Sequence, residues 1–135
     1  MIIEKNLNTP LTTDQEKKLT LFSKKIYESN KKFNLTGLKD LESIKNILAY
    51  ESIKSLDIIN LSSSKKSLSV VDIGSGAGIP GIPLKIINSN FHLTFIESNA
   101  KKCEFIASAC NDLGLEVDII NDRAETIAHE KSYRE

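Results

Sequence analysis

The stretch from Ser69 to Pro83, SVVDIGSGAGIPGIP, decides the fold of this chain of 135 residues. Four of the chain's six glycines and two of its three prolines fall within residues 74–83, directly after an apolar run. Glycine lets a ligand approach the backbone closely and accepts positive φ angles, and proline is tolerated in the first turn of a helix. The stretch therefore predicts a strand, a ligand-binding turn and the start of a helix.

Short apolar runs and amphipathic segments alternate from this stretch onward. The predicted strands cover 70–73, 93–96 and 117–120, and the predicted helices cover 82–87, 101–113 and the residues from 126 onward. Strand–helix alternation implies a parallel sheet with right-handed crossovers. In such sheets ligands bind at the carboxyl ends of the strands. The predicted class is therefore an α/β fold with a Rossmann-like, partial parallel sheet over residues 68–135.

The first half of the chain has a helical pattern instead. One helix is predicted over 12–32, with a capping box that begins at Thr13, and a second helix is predicted from about Asp40 through Leu56. The apolar residues at helical spacing are Leu19, Phe22 and Ile26 in the first helix and Leu41, Ile44 and Leu48 in the second. Residues 62–67 are polar and serine-rich, which is typical of a connector. The chain is thus predicted to divide into a helical segment, 1–67, and a βαβαβα half, 68–135.

Charge is unevenly distributed on a chain whose net charge is zero. Residues 1–67 carry 12 lysines against 8 acidic residues, whereas residues 68–135 carry 6 basic and 10 acidic residues. A basic half indicates a polyanionic partner. The alternative is an ordinary solvated helical surface.

Several classes of protein are disfavoured by composition. Cys103 and Cys110, placed on one helix, would be roughly 10 Å apart, too far for a disulfide, so both are predicted to be buried thiols. No close cluster of cysteine and histidine predicts a metal site. No apolar run is long enough to span a membrane, and the N-terminus lacks a signal pattern. A cytoplasmic protein without a metal or a membrane contact is expected.

The glycine segment itself limits which class of ligand is expected. Gly76 to Gly81 fits the dinucleotide pattern G-x-G-x-x-G, but the fuller string D-x-G-x-G-x-G resembles the first motif of S-adenosylmethionine (SAM) methyltransferases. Glu97 ends the second strand, where a carboxylate can accept hydrogen bonds from both hydroxyls of a ribose. In the methyltransferase fold that this motif resembles, the loop after the third strand borders the adenine, so the resemblance implies that Ala124 and Glu125 bracket the base. The alternative is that Glu125 serves the helix dipole alone. Enzymes that bind NAD and enzymes that bind SAM both use a carboxylate to bind the ribose, so Glu97 does not discriminate between the two cofactors.

With these residues in place, the chain resembles the bacterial small-subunit (16S) ribosomal RNA guanine methyltransferases, the glucose-inhibited division B family. The likeness runs along nearly the whole chain. The segments that carry it are Lys32-Phe33-Asn34-Leu35-Thr36-Gly37, Val71 to Leu84, Glu97-Ser98 with Lys101, Lys102 and Phe105, and Asp122-Arg123-Ala124-Glu125. The resemblance implies a class I SAM-dependent methyltransferase fold with an N-terminal helical cap.

The resemblance also implies roles for individual residues. The residues expected to bind SAM are Gly74, Gly76, Gly78, Ile79, Glu97, Ala124 and Glu125, with Glu97 on the ribose. Those expected near the RNA are Lys31, Lys32, Asn34 and Thr36, with further phosphate contacts offered by Lys24, Lys25, Lys101 and Lys102.

Two departures from the family stand out. Leu48 occupies the position of a family histidine, and Glu51-Ser52-Ile53 replaces Asp-Ser-Leu. Family members also continue through further strands, one of which carries an arginine beside the SAM site. The chain is therefore interpreted as truncated, so its stability and activity are expected to be reduced. The strand 70–73 is expected to form an exposed apolar edge that could pair with a second copy.

The implied activity is SAM-dependent methylation of guanine N7 in 16S ribosomal RNA, or in the small ribosomal subunit. That nitrogen carries a lone pair and no proton, so no side chain is assigned as a catalytic acid, base or nucleophile. Three alternatives remain. The chain could be a SAM-binding fragment without catalysis, a methyltransferase of another acceptor, or an NAD-binding oxidoreductase domain.

Overall fold

A computed structural model of the chain describes residues 11–48 and 68–129. The elements with complete bounds are α1 Thr13–Asn30, β1 Leu68–Ile73, α3 Gly81–Ile87, β2 Phe91–Ile96, α4 Ala100–Leu113, β3 Asp118–Ile120 and α5 Ala124–His129. Residues 41–48 are helical and are called α2 here. The predicted end of the second helix, the replacement at 51–53 and the connector at 62–67 lie outside the described residues. The division of the chain at residue 67 therefore stays a prediction.

The three described strands form one parallel sheet in the order β1-β2-β3. Leu68 pairs with Phe91 and Ile73 with Ile96 at the two ends of the first ladder. The second ladder is shorter and ends at the pair Ile96 and Ile120. The α/β class and the parallel sheet that the alternation predicts are thereby confirmed. β1 and β2 each begin two residues before their predicted starts, and β3 begins one residue after its predicted start.

The core lies on one face of this sheet. Along β2, Phe91, Leu93 and Phe95 are buried, whereas His92 between them is exposed. Helices α1, α3 and α4 cover the buried face, with α1 in contact with both other helices. The rings of Phe22 on α1 and Phe105 on α4 stack with their centroids 6.3 Å apart. The helical cap is therefore packed directly onto the α/β layer.

The start of α1 differs from its prediction. Thr12, not Thr13, is the N-cap: its hydroxyl accepts a hydrogen bond from Gln15 N, and Gln15 Oε1 accepts from Thr12 N. The capping box predicted from Thr13 and Glu16 is therefore wrong by one residue. Gln15 also donates from Nε2 to the carbonyl of Ile87 at the end of α3 (3.2 Å). This tertiary contact uses the glutamine side chain, which explains why the box forms one position earlier.

Helix α4 follows its prediction closely. Phe105, Ile106, Ala109 and Leu113 face the core, and Gly114 ends the helix in the left-handed conformation. Asn99 caps its start by accepting a hydrogen bond from Lys102 N. In α2, Ile44 and Leu48 are fully buried as expected from their spacing.

Strand β1 lies at one end of the described sheet. Val71 is 52% exposed and Ile73 is 62% exposed, and both point away from the face that carries the core. The expected apolar edge is present, except that Val70 packs against the core. Within the described residues, no helix combines the length and the apolar character that crossing a membrane requires.

Candidate functional site

The carboxyl ends of all three strands open onto one cavity of about 410 Å³. Pockets of this size are typical of small-molecule sites. The lining residues are Ile73, Gly74, Ile96, Ser98, Asp122, Arg123, Ala124 and Glu125. The end of β1 and the start of α5, which are some fifty residues apart in sequence, thus form one concave surface.

The glycine loop that follows β1 has two different kinds of glycine. Gly74, Gly76 and Gly78 all have positive φ angles, of 68°, 57° and 83°. A Cβ atom at Gly74 or Gly76 would meet nothing within 4 Å, whereas at Gly78 it would lie 2.6 Å from Ile82 Cδ1. The first two glycines leave open space for a ligand. Gly78 instead allows the loop to pack against α3.

Asp72 holds the end of this loop that leads into α3. Its Oδ2 accepts a hydrogen bond from the backbone N–H of Gly81 (3.0 Å), the first residue of α3. The backbone carbonyl of Asp72 accepts a second bond from the Ser75 hydroxyl (2.9 Å). The pKa of Asp72 is raised to about 6, mainly by burial; the hydrogen bonds from Gly81 and Ser75 act in the lowering direction, and the nearby charge of Glu97 adds a smaller rise. Asp72 had not been predicted as a functional residue, although it opens the D-x-G-x-G-x-G string.

Glu97 holds the middle of the loop. The Glu97 residue is only 7% exposed, and its Oε1 accepts a hydrogen bond from Gly76 N (2.9 Å). Its other oxygen, Oε2, accepts from Asn99 N (2.8 Å). The carboxylate therefore lies between the glycine loop and the start of α4, behind the residues that line the cavity.

The loop after β3 supplies the opposite wall of the cavity. Ala124 and Glu125 begin α5 and both line the cavity, as does Arg123 before them. The backbone N–H of Arg123 donates to Asp122 Oδ1 (2.7 Å), which holds the turn into the helix. Arg123 and Ser98 had not been singled out as lining residues, because nothing in their local pattern distinguishes them from solvated positions.

The side chain of Asn30 organises the segment that follows α1. Asn30 accepts hydrogen bonds at Oδ1 from Leu35 N (3.1 Å) and Thr36 N (2.9 Å), and its Nδ2 donates to the Leu38 carbonyl. One side chain thus shapes the loop 33–38. Sequence reasoning had missed Asn30, because its three partners are identified only by the folded loop.

The predicted RNA residues lie on this segment and not at the cavity. Lys31 and Lys32 are exposed at the end of α1, where Lys31 pairs with Glu28 (3.4 Å). Asn34 accepts from Lys39 Nζ (3.3 Å), and Thr36 accepts from Leu38 N (3.3 Å). None of the four lines the cavity that Gly74 and Glu125 share.

Neither thiol is part of the site. Cys103 and Cys110 are free and buried, as predicted. Burial raises the pKa of Cys110 to about 12 and also raises the pKa of Cys103, which disfavours a reactive thiolate. Within the described residues, no group of three histidine, cysteine, aspartate or glutamate side chains could hold a metal ion.

The structure thus brings together part of the predicted set. Gly74, Ala124 and Glu125 line one cavity, and Glu97 and Gly76 are joined directly behind it. Gly78 and Ile79 belong to the packed turn before α3 and are not among the lining residues. The chemistry available is that of backbone groups and carboxylates around an open space, which suits binding more than acid–base catalysis.

Comparison with known proteins identifies the family. The family model described as rRNA small subunit methyltransferase G matches residues 15–134. Three relatives carry the name ribosomal RNA small subunit methyltransferase G. The protein from Oenococcus oeni is 38% identical over 133 residues, which are 96% of this chain and 54% of that protein.

The other two relatives give the same result. The protein from Mycoplasmoides gallisepticum is 42% identical over 73% of this chain and 41% of its own length. The one from Alkaliphilus oremlandii is 35% identical over 96% of this chain and 53% of its own length. The chain spans about half the length of these curated relatives. It belongs to the family of rRNA small subunit methyltransferase G.

Proposed function

We propose that this chain binds SAM in the cavity at the carboxyl ends of β1, β2 and β3, and that it is the cofactor-binding part of a ribosomal RNA methyltransferase. The observation that carries the proposal is the shared wall of Gly74, Ala124 and Glu125. The open space above Gly74 suits a ligand that must touch the backbone. The names of the relatives support ribosomal RNA of the small subunit as the substrate.

The residues present fit such a cofactor. The cavity of about 410 Å³ accommodates a nucleoside with a short tail. Glu97 keeps unused acceptor positions for ribose hydroxyls, because a carboxylate offers about four. When bound, the cofactor would supply an electrophilic methyl group. The protein would orient it against the acceptor, and proximity and alignment would supply the rate.

The proposed acceptor is the N7 of a guanine, which is an unprotonated ring nitrogen. No side chain therefore has to remove a proton. The chain's own contribution is to hold the nucleoside between Gly74 and Ala124. Lys31 and Lys32, with Asn34 and Thr36, are proposed to contact the RNA backbone from the loop that Asn30 shapes. Such a reaction would take place in the cytoplasm, where ribosomes are assembled.

A binding fragment without catalysis is the second candidate. Ile73, at the end of β1, lines the cavity and is also 62% exposed. The cavity is therefore open on the β1 side within the described residues. Transfer of a labelled methyl group from SAM to small ribosomal subunits separates the two candidates. Binding with transfer supports the enzyme, and binding without transfer supports the fragment.

Calorimetric titration with SAM tests the cofactor directly. We expect saturable binding by the chain, and we expect Gly74→Asp to weaken it by roughly tenfold or more, because the new carboxylate would occupy the open space of the cavity. NAD serves as the competing ligand. Tighter binding of NAD than of SAM would contradict the proposal.

Gly114→Asp is the matched control for this titration. Gly114 has the same φ of 68° as Gly74, and a Cβ there also meets nothing within 4 Å. It ends α4 and does not line the cavity. Both variants therefore carry the same backbone strain, and only Gly74→Asp should lose affinity. An equal loss in both would attribute the effect to strain and not to the site.

We also propose that the edge of β1 pairs with a second copy of the chain when nothing else covers it. Val71 is 52% exposed on a strand without proline or lysine, a combination that favours edge pairing. Sedimentation over a range of concentrations should show self-association, and Val71→Lys should abolish it. Leu21→Lys is the control, since Leu21 is 40% exposed on α1. A monomer at all concentrations, or equal effects of both variants, would contradict this proposal.

A further inference from the structure

The carboxylate of Glu97 has two backbone partners. Gly76 N donates to Oε1 at 2.9 Å and Asn99 N donates to Oε2 at 2.8 Å. Both distances are those of well-formed hydrogen bonds. Glu97 is 7% exposed, whereas Gly76 is half-buried and Asn99 is exposed, so the two amides satisfy a carboxylate that is itself largely removed from water.

The two partners belong to different parts of the site. Gly76 lies in the middle of the glycine loop, with a positive φ of 57°. Asn99 is the N-cap of α4 and accepts from Lys102 N (3.1 Å). Glu97 itself continues the sheet, because its backbone N–H donates to the Ile120 carbonyl (3.0 Å). One side chain, fixed to the sheet, therefore holds both the loop and the start of a helix.

Other hydrogen bonds hold the loop on both sides of Gly76. Asp72 holds the opposite end of the loop through Gly81, and Gly78 N donates to the Ser75 carbonyl (2.9 Å) within it. Gly74 N donates to the Ile96 carbonyl (2.8 Å) and closes the β1 ladder. Between these points, Glu97 is the partner that the described hydrogen bonds give to the Gly76 N–H, and glycine restricts its own backbone least.

A carboxylate can serve a second set of donors at the same time. It offers about four acceptor positions, and the described contacts use two. The remaining positions match the two adjacent hydroxyls of a ribose. A ligand that donates both hydroxyls would then restrain the same carboxylate that restrains Gly76.

We propose that Glu97 is a positioning residue for the glycine loop: it fixes Gly76 before any ligand binds, and it couples the order of that loop to recognition of a vicinal diol. The first half of this proposal rests on the two hydrogen bonds of the Glu97 carboxylate. The second half rests on the proposed function, because it requires a nucleoside in the cavity. Glu97 thus does more than accept the ribose.

Amide hydrogen exchange of Gly76, measured by NMR on the full chain without ligand, tests the first half. We expect Gly76 to be protected, and we expect Glu97→Gln to reduce its protection by about tenfold or more. Glutamine keeps one acceptor oxygen but presents an NH₂ group to the other amide, so it cannot satisfy both Gly76 and Asn99. Unchanged protection in the variant would overturn the proposal.

Glu104→Gln is the control for charge alone. Glu104 is exposed on α4, and its removal also subtracts one negative charge. In Glu104→Gln, the amide hydrogen of Gly76 should exchange at the same rate as in the unmodified chain. If Glu97→Gln fails to fold, a scalar coupling across the hydrogen bond from Gly76 ¹⁵N to Glu97 ¹³Cδ in the unmodified chain decides. Its presence supports the proposal, and its absence together with unprotected exchange overturns it.

Adenosine and 2′,3′-dideoxyadenosine test the coupling. Adenosine should increase the protection of Gly76 further, whereas the dideoxy compound should bind without doing so. Equal protection by both would overturn the coupling. If neither adenosine nor SAM perturbs the amides of Gly74 and Ala124 while Gly76 stays protected through Glu97, then the proposed function fails and the positioning role of Glu97 is supported alone.

Discussion

Gly81→Ala is expected to lower the free energy of unfolding by roughly 2–3 kcal/mol, the usual cost of overpacking a filled core. A Cβ at this position would lie 2.5 Å from Phe95 Cε1 and 2.8 Å from Asp72 Oδ2. Phe95 is fully buried, so its ring has no open space into which to move. The methyl group would also disturb the bond from Gly81 N to Asp72. Urea denaturation of the variant and the unmodified chain measures the difference.

Gly37→Ala is the matched control for this substitution. A Cβ at Gly37 would meet nothing within 4 Å, and its φ lies outside the positive range. The change in stability should stay within about 0.5 kcal/mol, as for other surface substitutions. In Gly81→Ala the better helix propensity of alanine works against the clash by about 1 kcal/mol. Equal stabilities of the two variants would show that α3 can move away from β2.

Asp72→Asn is expected to stabilise the protein at neutral pH by about 1–2 kcal/mol. The native pKa of about 6 exceeds the ordinary value of 3.8, and that difference corresponds to about 3 kcal/mol of destabilisation when the carboxylate is charged. Asparagine removes this cost and keeps an oxygen that can accept from Gly81 N. It loses part of the gain because a charge-assisted hydrogen bond becomes a neutral one.

The sign of the pH dependence follows from linkage. Between about pH 4 and pH 6 the native state binds more protons at Asp72 than the unfolded state does, so the stability contributed by this group falls as the pH rises. The advantage of Asp72→Asn should therefore be present at pH 7.5 and should disappear by about pH 4.5. Denaturation at the two pH values gives the difference between variant and unmodified chain directly. A constant difference would show that burial does not raise this pKa.

Asp40→Asn should show the opposite trend. The backbone N–H of Ser43, followed by its hydroxyl, lowers the pKa of Asp40 at the start of α2. A carboxyl with a lowered pKa stabilises the fold above its ordinary pKa and loses that contribution as the pH falls. The variant should therefore be less stable than the unmodified chain at pH 7.5, with a smaller deficit in acid. Together, Asp72→Asn and Asp40→Asn distinguish a pKa that burial raises from a pKa that hydrogen bonds lower.

The expected consequence for the site is local. Asp72 holds one end of the glycine loop through Gly81, and Glu97 holds the middle of the loop through Gly76. Losing the first contact displaces the start of α3, whereas losing the second frees the middle of the loop. Stability measurements report mainly the loss of the contact between Asp72 and Gly81. Exchange of the Gly76 amide reports the loss of the contact between Glu97 and Gly76.

Much of the fold could be predicted from local patterns. The strand–glycine–helix order around residues 68–87, the inward positions of α4 and the stop at Gly114 depend on residues that are close in sequence. Periodicity and turn chemistry report such features directly. The capping box shows where this method fails. Thr12 and Thr13 are chemically equivalent caps, and the contact from Gln15 to Ile87 on another helix distinguishes them.

The site could be predicted only in part. Gly74, Glu97, Ala124 and Glu125 were predicted from the resemblance to methyltransferases together with their places at the ends of predicted strands, because carboxyl ends of parallel strands share an edge. Arg123 and Ser98 were not identified as lining residues, although the cavity includes them. The role of Asn30 in shaping the loop 33–38 also became visible only when its acceptors and donors were assigned. A sequence records which groups are present but not which of them meet.

By itself, the sequence determined that this protein is an α/β chain with a ligand-binding glycine turn after its first strand, because glycine, proline and apolar spacing act through local backbone geometry. Only the tertiary structure decided that Glu97 holds Gly76, that Asp72 holds Gly81 and that Gly78 serves packing more than the cavity. The reason is physical. A hydrogen bond or a steric limit between two distant groups depends on how the strands and helices approach each other, and that approach is fixed by the packing of the whole core.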